Sequence, residues 1–103
     1  MTTREAADTV ADAVLATPGV AGLHPGMFGE VGTYLPGRRV DGVRLGDNDI
    51  DVHLTVREGA PVRETAAAVR EAVAREFPGQ AVNVTVEDVI AVDSPAADVS
   101  ATD

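Results

Sequence analysis

Between residues 50 and 57 the chain alternates without a break: Ile50, Val52, Leu54 and Val56 are apolar, while Asp51, His53, Thr55 and Arg57 are polar. Period-two alternation of this length specifies a strand with one face in a core and the other wet. It also fixes register, because a slip of one residue would turn every apolar side chain outward. Such a strand needs neighbours to pair with and an apolar layer on one side only. Gly46-Asp47-Asn48 ahead of it is a turn, and Val40 to Leu45 reads as the hairpin partner.

Two segments can supply the apolar layer. In the first, ending near Thr17, Ala7, Val10, Ala11, Val14 and Leu15 recur at helical spacing, with Glu5, Asp8 and Asp12 on the other side. Thr2 or Thr3 is the expected N-cap, and Pro18-Gly19 the stop. The second helix opens at Gly59-Ala60-Pro61, with Val62, Ala66, Val69, Val73 and Phe77 as its stripe, and closes at Pro78-Gly79. Val20 to Leu23 is a short strand. Val31, Thr33 and Leu35 permit another, with a helical turn as the alternative, before the Pro36-Gly37 turn. Val82, Val84 and Val86 alternate with Asn83, Thr85 and Glu87 as a last strand. Residues 93–103 are Ser, Pro, Ala, Val, Thr and Asp and read as a disordered acidic tail. The expectation is one α+β domain over residues 1–92. Its order is α-β-(β)-β-β-α-β, with three to five mixed or antiparallel strands in a single sheet and both helices on one face.

Composition excludes several function classes. The chain has no Cys, which removes disulfides, thiolate metal sites and thiol catalysis. Its basic residues are all Arg and its net charge is −9, with no basic stripe for nucleic acid or an anionic membrane. No apolar run reaches the length of a membrane span. The first 17 residues lack the basic start and continuous apolar run of a secretory signal, so the chain reads as cytoplasmic.

Candidate sites are few. Asp47, Asp49 and Asp51 imitate the start of a calcium loop, but Val52 stands where that loop needs Gly, so the segment reads as a hairpin turn. His24 lies in a Gly/Pro loop without an acidic neighbour. His53 reads as an exposed strand residue near Asp51, Thr55 and the last strand. Asp51 and Glu87 are expected to stay solvated and ordinary. The glycines of residues 26–32 lack a following GK[ST]. They read as backbone freedom in a bend, or as a recognition loop carrying Met27 and Phe28. No catalytic, cofactor or metal residue is assigned. What remains is a polar sheet face of Arg44, Asp51, His53, Thr55, Asn83, Thr85 and Glu87, expected to be uncovered and to meet another protein, together with strand edges able to pair between chains.

The order of these segments resembles the alkaline shock protein family, also called the Gls general-stress family, of bacterial envelope stress proteins. The resemblance is carried by Val20-Ala21-Gly22-Leu23, by Phe28 to Leu35, by Gly42-Val43-Arg44-Leu45 and by Ile50 to Val56. It continues through the helix after Pro61 and the segment Val82 to Val89. It implies a cytoplasmic, non-catalytic protein in envelope homeostasis, without cofactor. Its partner would be itself or a small membrane protein that holds it at the membrane. The chain departs from the family in lacking Lys and in its acidic tail. The rival expectation is a small enzyme or ligand-binding subunit whose site forms at a homodimer interface, with His53, Asp51 and Glu87 as its residues.

Overall fold

The alternating segment forms the central strand of the computed structural model, which describes residues 5–91. In chain order the elements are α1 (Ala6–Leu15), β1 (Val20–Leu23), β2 (Gly32–Leu35), β3 (Arg38–Asp41), β4 (Val43–Leu45), β5 (Asp49–Arg57), α2 (Val62–Glu76) and β6 (Ala81–Ile90). The fold is α+β, as the periodicities predict, with both helices contributing to the single core. The expected tail over 93–103 lies outside the described residues.

β5 is the hub of a four-stranded mixed sheet. Along one edge it pairs in parallel with β6, from Asp49↔Ala81 to Arg57↔Ile90. The other edge is divided end to end between two short antiparallel strands. β4 takes Ile50 to Val52, and β1 takes Leu54 to Val56. The handover occurs at His53, whose N–H donates to Gly42 O (2.9 Å) and whose O accepts from His24 N–H (2.9 Å).

That handover explains the main departure from the sequence reading. Val40 to Leu45 is not one strand. Gly42, at φ +80, breaks it in two. β3 pairs back on β2 across the Pro36-Gly37 turn as a separate two-stranded sheet, and only β4 joins β5. The hairpin of β2 and β3 is tied to α1 by a two-pronged ion pair. Arg38 Nη1 and Nη2 donate to Asp8 Oδ1 and Oδ2, each at 2.7 Å.

Ile50, Val52, Leu54 and Val56 point into the core with Ala7, Val10 and Val14 of α1 and Val69 and Val73 of α2. The helices differ from expectation at their ends. The α1 N-cap is Glu5, whose N–H is taken by the Asp8 carboxylate (3.2 Å), and not Thr2 or Thr3, which lie outside the described residues. Leu15 is 52% exposed, and Thr17 is buried in its place with its hydroxyl on Ala13 O (2.9 Å). In α2, Val62 is exposed and Thr65 takes the buried position. Gly19 passes so close that a Cβ there would lie 2.6 Å from Thr65 Oγ1.

Candidate functional site

The face of the sheet opposite the helices collects most of the polar residues singled out in the sequence. Asp51 stands beside Arg44 on β4 and Asn83 on β6. Asn83 Nδ2 donates to Asp51 Oδ1 (2.8 Å), and the Arg44 guanidinium lies 4.0 Å from Asp51 Oδ2. Thr85 is exposed beside His53. Thr55 departs from the expected surface. It is buried between β1 and β6, with its hydroxyl 3.4 Å from Gly22 O.

His53 and Glu87 form the closest contact on this face, Nδ1 to Oε2 at 2.6 Å. Neither side chain is freely solvated, the exposures being 20% and 16%. This corrects the expectation of an exposed strand histidine and of a solvated carboxylate at 87. The cause is a bulge in β6. Leu54 faces Val86 and Thr55 faces Asp88, so Glu87 is an extra residue with no partner on β5. The released Glu87 reaches back to the ring. With the carboxylate as acceptor, Nδ1 carries a proton and Nε2 is the ring nitrogen left for other partners. The bulge has a sequence signal that the reading missed. The valines run 82, 84, 86 and then 89, a spacing of three that breaks the period of two.

Beside β4, the loop from His24 to Val31 is tightly bonded. Gly26 N–H donates to His24 Nδ1 (2.9 Å), and Val31 N–H donates to Pro25 O (2.8 Å). Arg39 Nη2 donates to Gly29 O (2.7 Å) and Arg44 Nη2 to Glu30 O (3.0 Å), which joins the loop to the polar face. Gly26 and Gly29 take positive φ, +89 and +72, and make the bend the sequence predicted. At its tip Met27 is 80% and Phe28 89% exposed. Nearby Tyr34 is also exposed, with the Arg39 guanidinium 5.2 Å from its ring centre.

Glu30 organises this tip. The hydrogen bond from its own N–H holds its carboxyl below the usual Glu range, against an opposing desolvation effect, and a second from Phe28 N–H (3.0 Å) adds to the lowering. Arg44 and His53 act in the same direction. A carboxyl lowered on folding stabilises the loop above its unfolded-state pKa and loses that contribution as pH falls through the folded value. A carbon-detected NMR titration should therefore show Glu30 titrating below the ordinary value of a Glu side chain. The Phe28 amide should shift in step with it. A Glu30 midpoint at or above that ordinary value would contradict the bonding described.

Among the described residues no three His, Cys, Asp or Glu side chains gather as a metal ion would require. Counted from Asp47, Glu58 does occupy the closing position of a calcium loop, but Asp49–Arg57 between them is one extended strand. Two shallow grooves run beside the helices, one lined by Ala13, Ala16, Ala68 and Ala72 with Arg75 and Glu76, the other by Pro18, Ala60 and Pro61 with Glu64. No described helix is long and apolar enough to cross a membrane. No protein-family model, no curated protein and no solved structure matches the chain.

Proposed function

We propose that this chain is a non-catalytic protein-interaction module, and that the loop from His24 to Val31 together with the adjoining polar face makes the contact. The observation that carries this reading is the exposure of Met27 and Phe28 at the tip of a well-bonded loop. Large apolar side chains held out to water do nothing for the fold. Aromatic residues and Met are the types enriched at the centres of interfaces. A pre-bonded loop also loses little conformational entropy when a partner covers it. Arg44, Asp51, His53, Asn83, Thr85 and Glu87 then form a polar rim on one side. The resemblance to alkaline shock proteins would put such a module in the cytoplasm, in envelope homeostasis, and at the membrane only through a partner.

The His53–Glu87 pair favours a second reading, a ligand site completed by another chain. It is the weaker one, because the third expected member, Asp51, is engaged with Asn83 and Arg44 instead.

The test is photo-crosslinking in cells with the crosslinker at Phe28, compared with the same group at Glu71 on α2. A discrete adduct is expected from position 28 alone, and Met27→Ala should abolish it. Since Met27 is exposed, its removal should change stability by no more than about 0.5 kcal/mol. The absence of any adduct from position 28, or one indifferent to Met27, overturns the reading.

A further inference from the structure

One edge of β6 is paired with β5, and among the described residues no strand covers the other. Exposed edges this long are normally blunted by charge, Pro, a bulge or short length. Ala81-Val82-Asn83-Val84-Thr85-Val86 has no charge and no Pro, and the bulge comes only at Glu87. We infer that this edge is a self-association surface, on which β6 of a second copy of the chain pairs antiparallel about Val84.

Backbone direction supports that register. Ala81 N–H is spent on Asn48 O, toward β5. Backbone groups of successive strand residues point to alternate edges, so Val82, Val84 and Val86 present theirs outward. Centring the pair on Val84 sets Val84 against Val84 of the other copy and Val82 against Val86. Each pair exchanges two hydrogen bonds, giving about six. On the polar face Asn83 meets Thr85, and Glu87 meets Ala81, so no acid faces an acid.

Charge admits a second copy at this edge. Two copies that each carry −9 repel unless they meet through a neutral region. Residues 60–86 hold Arg63, Arg70 and Arg75 against Glu64, Glu71 and Glu76, which cancel. This stretch comprises α2 and the neutral part of β6. A two-fold axis through Val84, perpendicular to the sheet, keeps both helix layers on one side. It also merges the two polar faces into one surface across eight strands, twice the four of one copy. The inference deepens the interaction reading and rests on it, yet it concerns a different surface from the Phe28 loop.

The native chain has no Cys, so an introduced pair reports register directly. Asn83→Cys with Thr85→Cys places cysteines opposite each other in both halves of the dimer, while either single variant places Cys opposite a native residue. Mild oxidation should convert most of the double variant to covalent dimer and at least tenfold less of either single variant. Light scattering should find the wild type dimeric at about 100 μM. Val84→Pro, which removes an outward N–H, should be monomeric with an unchanged far-UV spectrum. If Val84→Pro fails to fold, the cysteine comparison decides. A wild-type monomer at that concentration overturns the inference. So does a dimer that survives Val84→Pro, or single variants that crosslink as well as the double. Retention of the Phe28 adduct in any of those cases leaves the interaction reading standing, and its loss removes both.

Discussion

Gly42→Ala is expected to lower the unfolding free energy by about 3 kcal/mol or more, a large share of the roughly 5–15 kcal/mol available to a domain of this size. Two separate costs act at this position. The backbone sits at φ +80, where an L side chain costs about 1–2 kcal/mol. In addition, a Cβ at Gly42 would lie 2.7 Å from His53 O and 3.0 Å from His24 N, both backbone atoms. Neither can retreat cheaply. His53 O accepts from His24 N–H, and His53 N–H donates to Gly42 O, so the three residues form the joint where β1 hands over to β4. Gly37→Ala separates the two costs. Gly37 has a similar φ of +76, but its missing Cβ meets nothing within 4 Å. It should lose only the conformational part, about 1 kcal/mol. Urea unfolding of the two variants measures the difference, and equal losses would show that the close approach at Gly42 carries no weight.

Gly42 also marks where the sequence stopped being legible. The alternation from Ile50 to Val56 and the stripes of the two helices were enough for the fold class and for which face each strand buries. These patterns arise from burial, and burial leaves a period in the sequence. A strand break leaves only a short local mark, here the Asp41-Gly42 dipeptide and a spacing of three between apolar residues. Val40 and Val43 are both in the core, one from β3 and one from β4, and Gly42 separates two strands that pair with different neighbours. The polar face was legible as a list for a similar reason, since alternation names the residues opposite the core. The contact between His53 and Glu87 was not, because it depends on an inserted residue in β6 that shifts partners by one. Thr55 was misplaced because period two separates the faces of a strand but does not say how much each is covered. Leu15 and Val62 were misassigned at helix ends, where the stripe continues but the sheet beneath it does not.

Leu54→Ala is expected to cost about 4–5 kcal/mol, toward the upper part of the range for truncating a buried leucine. Position 54 is fully buried in the middle of β5, with Leu23 on one side and Val86 on the other. The size of the loss depends on how far the surroundings can collapse into the space. Among the described residues, eleven of the fourteen that are buried and apolar are Val, and none is aromatic. Valine holds one strongly preferred rotamer and has no long arm to swing inward. Unlike Met, it cannot fill an irregular gap. The cavity should therefore remain largely open. The backbone around it is also held, because β5 is hydrogen-bonded along both edges. Two comparisons isolate this explanation. Leu15→Ala removes the same atoms from a side chain 52% exposed and should cost under about 1 kcal/mol. Leu54→Ile keeps the volume and should cost less than about 1.5 kcal/mol. Urea unfolding at constant m-value measures all three. A loss below about 2 kcal/mol for Leu54→Ala would mean that the valine core repacks, contrary to the stiffness argued from its composition.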